Sequence, residues 1–160
     1  MRHVLFIYFV TFSFLFVSAQ DFVSRFMASH HSDSKLTCIT ISPKMMNEIL
    51  ELNENVDTTI LGMISNLKSM QMLSSNVAAV RYYNDALSLV NKSVGVYEPY
   101  FSINNTYENG QIMIRKRFGA IVELIMFSCK SRRFFVINFT GSMNIEFINR
   151  LSVLLHQKCS

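Results

Sequence analysis

Side chains able to do chemistry are sparse in this 160-residue chain. The densest group is His30-His31-Ser32-Asp33. Adjacent imidazoles beside a carboxylate suit a transition metal, but a strong site needs ligands fixed on a scaffold with supporting hydrogen bonds behind them. These four stand in a polar, serine-rich run, so a solvated lead-in is the expectation. Glu48, Glu51 and Glu54 recur at helical spacing. Carboxylates so placed do acid–base work only where burial splits their pKa values. Asn47 and Asn53 accompany them, which reads as a solvated helix face. His156 has no evident carboxylate partner. Cys38, Cys129 and Cys159 make an odd count with no C-x-x-C, so neither a zinc ribbon nor a thioredoxin-like site is indicated. There is no glycine-rich phosphate loop, no G-x-S-x-G and no H-E-x-x-H. The expectation is therefore no catalytic residue, no metal and no cofactor. A hydrolase-type site assembled from distant residues, which leaves no local motif, is the alternative.

The elements that must position any site centre on Gly110 to Gly141, GQIMIRKRFGAIVELIMFSCKSRRFFVINFTG. Polar breaks at Arg115-Lys116-Arg117-Phe118-Gly119 and Cys129-Lys130-Ser131-Arg132-Arg133 divide it into strand-length apolar runs rich in Ile, Val and Phe. The pattern predicts an antiparallel meander, entered through the Asn109-Gly110 turn signal. Upstream, Leu36 to Ser42 alternates as a strand, and Pro43 opens a helix running to about Leu52. Asp57 caps a second helical segment through Leu67. Ser69 to Leu73 forms a short strand. Ser74-Ser75-Asn76 caps a helix from Val77 to Asn91 with Val80, Tyr83, Leu87 and Val90 on one face. Val94 to Ile103 is a strand, and Asn144 caps a final helix with Ile148, Leu151 and Leu155 inside. The order β-α-β-α-β-β-β-β-α predicts an α+β two-layer sandwich, a mainly antiparallel sheet with helices packed on one face.

At the other end, Met1-Arg2-His3 is basic, Val4 to Val17 is apolar apart from Thr11 and Ser13, and Val17-Ser18-Ala19 precedes polar Gln20-Asp21. That is the secretory pattern, and the apolar run is short for a spanning helix. The expected layout is a signal peptide over 1–19, a flexible N-terminal segment over 20–35 and one α+β domain over 36–158. The destination is exported, periplasmic or extracellular, with no membrane span after signal cleavage. The formal charge is +4, from 15 basic and 11 acidic side chains, and losing residues 1–19 removes only Arg2. So mild an excess does not make the basic stripe of a nucleic-acid binder. The basic residues cluster at meander turns (Arg115, Lys116, Arg117, Lys130, Arg132, Arg133) beside Phe118, Phe134 and Phe135. An anionic polysaccharide or lipid head group suits them better than nucleic acid in an exported chain. Asn91, Asn104 and Asn138 head N-x-S/T triplets, and Asn138 falls inside a predicted strand.

Several segments together resemble one family. They are Ile39-Thr40-Ile41-Ser42-Pro43-Lys44-Met45-Met46, Ile64 to Met70, Tyr82-Tyr83-Asn84-Asp85-Ala86-Leu87, Gly119 to Leu124, and Phe135 to Met143, behind a leader ending near Ala19-Gln20. The chain is similar through them to domain of unknown function 4252, small exported proteins of Bacteroidota. The resemblance implies compartment and fold and carries over no functional residue. Cys129-Lys130-Ser131-Arg132-Arg133 departs from the acidic or glycine-rich turn expected there.

The reading that follows is an exported, non-catalytic domain binding a partner protein or envelope component, with self-association as a homo-oligomer the structural alternative. Charged Glu123 marks one face of its strand as outer. That parity leaves Ile121, Ile125, Phe127, Phe134 and Val136 outside as a candidate contact face, coverable by a partner or by Phe22, Val23, Phe26 and Met27 of the lead-in. Ile39 and Ile41 should face the helices, turning Cys38 to the same outer face as Cys129, where a disulfide forms only if the strands are neighbours.

Overall fold

The structure is a computed structural model that describes residues 20–31, 33–51, 62, 64–104 and 108–150, with side chains left out at 49–51. The leader, the helix expected from Asp57, Glu54, Leu151, Leu155, His156 and Cys159 lie outside the described residues. The chain divides into two units, residues 1–31 and 32–160.

In the first unit, helix α1 spans Phe22–Ser29. Asp21 caps it: the Ser24 amide donates to Asp21 Oδ1 at 2.8 Å, satisfying a first-turn donor. Phe22, Val23 and Phe26 are buried, and the Phe22 and Phe26 rings stack at 5.8 Å. The i, i+4 spacing of aromatics gives the segment a helical apolar stripe.

The second unit is built on one antiparallel sheet. Its elements are β1 (Thr37–Ile41), α2 (Pro43–Glu51), β2 (Leu67–Ser75), α3 (Ala79–Lys92), β3 (Glu98–Asn104), β4 (Glu108–Arg117), β5 (Ala120–Lys130) and β6 (Arg133–Met143). A helical segment, α4, follows at residues 145–150, its Phe147 amide donating to the expected cap, Asn144 Oδ1, at 2.8 Å. The six strands lie in the order β1-β2-β6-β5-β4-β3. The β4–β5 and β5–β6 connections are two-residue turns with Arg117 opposite Ala120 and Lys130 opposite Arg133. Both turns hold positive φ at both residues: Phe118 (51°) and Gly119 (80°), Ser131 (50°) and Arg132 (66°). That is the turn geometry matching sheet twist. Asn109-Gly110 does not turn; both residues lie inside β4.

Helices cover both faces, not one. On the first face, α3 packs Tyr83 against Phe127 at 5.6 Å and Tyr82 against Phe134 at 5.7 Å between ring centroids. On the other, Met46 of α2 and Phe147 and Ile148 of α4 join Ile112, Ile114, Ile121, Leu124, Phe139 and Met143 in one core. Strands buried on both sides lose the alternation that a one-sided sheet shows, which is why β5 and β6 read as near-continuous apolar runs. The buried stripe of α3 is Ala79, Tyr82, Tyr83, Ala86 and Val90, while Val80 is 65% exposed. No serine caps this helix; Ala78 occupies the cap at φ 53°, and Ser75 Oγ donates instead to the Val77 carbonyl at 2.9 Å. Gly141, at φ +132°, crosses the start of β2 so closely that a Cβ there would stand 2.6 Å from the Asn66 oxygen and the Leu67 Cα. Only glycine fits.

Candidate functional site

A polar row crosses the α3 face of the sheet. Ser69 Oγ and Thr140 Oγ1 are 2.8 Å apart, Thr140 pairs with Glu123 across β6–β5, and Glu123 pairs with Arg115 across β5–β4. Arg115 Nε donates to Glu123 Oε2 at 2.7 Å, and the Tyr97 hydroxyl donates to the same oxygen at 3.2 Å. Glu123 has no exposure, while the Arg115 side chain keeps 17%. The guanidinium offsets the desolvation of the carboxylate, as a buried ion requires. Beside this row Gln71 lies directly opposite Asn138. Asn138 is fully buried, and neither of its amide atoms meets a hydrogen-bonding partner, nor does Gln71 Oε1. Each such group costs about 1–3 kcal/mol. Burial also rules out Asn138 as a glycan acceptor. The row lacks a nucleophile hydrogen-bonded to a base, so it does not assemble a triad.

The candidate contact face is corrected by this geometry. Ile121 is 5% exposed, and Ile125, Phe127, Phe134 and Val136 are each at 0%. Phe127 and Phe134 meet the α3 tyrosines. Ile121 is not even on their side: a bulge at Val122 shifts the register between Ile121 and Glu123, turning Ile121 into the opposite core. The sequence signal misleads because Glu123 reads as an outward charge, whereas its partner Arg115 sits one strand away.

The cysteine pair is likewise corrected as a disulfide. Register turns Cys38 and Cys129 to the same face, but β2 and β6 stand between their strands. Three strand spacings make about 14 Å, beyond the reach of a bridge, and no disulfide joins the two. Burial pushes the Cys129 thiol pKa up. Among the described residues no group of three or more His, Cys, Asp or Glu could hold a metal. Asp33 instead accepts from the Tyr82 hydroxyl at 2.5 Å and pairs with Arg81 at 3.4 Å. The Tyr82 hydrogen bond and the Lys35 amide hold its carboxyl below the ordinary 3.8. Glu48 is exposed and pairs with Lys44 at 3.7 Å. An open cleft of about 410 Å³ is lined by Asn66, Ser142, Met143, Asn144, Glu146 and Phe147; among these there is no imidazole or amine to activate Ser142.

The feature that sequence reasoning missed lies at the end of the sheet where β4 turns into β5. Phe118, in that turn, is 98% exposed. The loop entering the neighbouring β3 exposes Val94 by 89% and Val96 by 40%. Two bonds hold this loop against the β4–β5 hairpin: Lys116 Nζ to Glu98 Oε2 at 2.7 Å and Tyr97 to Glu123. Gly95, at φ 74°, lets the loop reverse so that Tyr97 goes in while both valines stay out. Met45 (47%) and Ile145 (52%), directly after β1 and β6, are exposed at this same end. The signal was available: Phe-Gly occupies a turn position where Asn-Gly or Asp-Gly is the usual choice.

Residues 30–151 match the family described as domain of unknown function DUF4252. The chain belongs to that family. The DUF4252 match takes in every strand and α3, so both the polar row and the exposed end lie within the family domain. No curated protein and no solved structure matches the chain. Among the described residues no helix is long and apolar enough to cross a membrane.

Proposed function

We propose that this DUF4252 protein is an exported, non-catalytic binding domain, and that it contacts a partner protein or envelope component through the turn end of its sheet. The observation that carries this reading is Phe118. A bulky side chain at φ 51° is strained, and at 98% exposure it recovers nothing by burial. The turn needs this φ, but asparagine or glycine would supply it at less cost, so an exposed phenylalanine there points to a use outside the fold. Export is supported by the basic, apolar, small-residue order of residues 1–19. N-terminal sequencing of the protein recovered from the envelope or medium should begin at Gln20; a chain still starting at Met1 contradicts export. For the contact, Phe118→Asp should stay folded and monodisperse by light scattering and lose its partner in pull-downs from envelope extracts. A folded variant with unchanged association overturns the surface.

A further inference from the structure

Building on that contact surface, we infer that its partner is an anionic phospholipid surface, entered by Phe118 with Val94 and Val96 beside it. The shape comes first. The apolar side chains sit on a two-residue turn and a short loop that end the sheet. They are projecting tips rather than a groove, as insertion into a soft boundary requires. Charge is the second argument. Arg117 is exposed and its guanidinium stands 5.8 Å from the Phe118 ring, so a cation accompanies the apolar tip. Lys68, exposed at the same end of the sheet, extends the positive edge. The nearby carboxylates are engaged: Glu98 by Lys116 at 2.7 Å and Glu146 by Arg150 at 2.9 Å. Cations at a lipid boundary meet phosphate while their stems and the neighbouring apolar groups go deeper. An anionic polysaccharide would use the cations but leave Phe118, Val94 and Val96 in water. Rigidity is the third argument. Tyr97 and Glu98 fix the valine loop to the hairpin, so docking does not have to order it.

The chain contains no tryptophan, so Phe118→Trp supplies a single reporter at the tip. Mixed with vesicles of phosphatidylcholine and phosphatidylglycerol, the full protein should show blue-shifted emission that brominated acyl chains quench. In the otherwise native chain, Phe118→Ser should lower vesicle partitioning by about tenfold. Arg117→Gln should lower it by about fivefold on anionic vesicles and leave neutral phosphatidylcholine vesicles unaffected. Unshifted, unquenched emission overturns the lipid partner, as does equal partitioning onto neutral and anionic vesicles. If emission is unshifted while Phe118→Ser still abolishes a pull-down from envelope extracts, the contact surface stands and its partner is a protein. If Phe118→Ser changes neither readout, both the surface and its lipid partner are overturned.

Discussion

Glu123 and Phe118 stand on one hairpin in surroundings opposite to their chemistry. The carboxylate has no exposure, and the phenyl ring has 98%. The first inversion has an internal cause. Arg115 lies across the strand at 2.7 Å and Tyr97 adds a second donor, so the charge is paired where it is buried. The second has none: Arg117 approaches the ring, but nothing shields it from water. The difference teaches how to separate structural from functional exceptions to the inside–outside rule. An exception that the fold compensates belongs to stability, and one that it leaves uncompensated belongs to function.

The strongest way to break the comparison is to put an uncompensated charge inside. Ile125→Asp, at a position with no exposure, should cost about 5 kcal/mol or more and unfold the domain, read by circular dichroism and urea titration. A folded variant would return this face to the surface. Arg115→Ala strands the Glu123 carboxylate and should cost about 3 kcal/mol of unfolding free energy from a urea titration; a loss under about 1 kcal/mol would mean that the pair does not compensate its burial. The double substitution Arg115→Leu with Glu123→Leu sharpens the point: stability should fall within about 1 kcal/mol of the native protein, because removing both charges removes the desolvation with them. The smallest effect concerns Asp33. Its folded pKa is held below 3.8 by Tyr82 and the Lys35 amide, so this group stabilises the fold above about pH 4, and that contribution is lost as pH falls through the lower folded value. Asp33→Asn should flatten the acid limb of a stability–pH curve measured by thermal melts; an unchanged limb contradicts the assignment.

Much of the fold was legible. The strand-length apolar runs and the breaks at Phe118-Gly119 and Ser131-Arg132 delimit β4, β5 and β6, and Pro43 and Asn144 mark their helices correctly. What was not legible followed from tertiary partners. Parity along β5 rests on Glu123 in the sequence, and a cross-strand arginine cannot be recognised before register is known. The Val122 bulge then carries Ile121 to the other face, which no period-two reading anticipates. The expected single helical layer fails for the same reason: the apolar outer side of β5 and β6 reads as a contact face, when α3 covers that side and α2 with α4 covers the other. The exposed end was missed because Phe118 reads as one more apolar residue until its φ and exposure are known.

The central claim is that Phe118 is kept for contact at the expense of stability, and Phe118→Asn tests it most directly. Asparagine tolerates the left-handed turn and precedes Gly119 in the favoured order. Urea denaturation and association with envelope membranes should be measured on the same preparation. The account predicts opposite signs: stability rises by about 0.5–1 kcal/mol while membrane association falls by about tenfold. A variant that gains stability and associates as well as the native protein would contradict it.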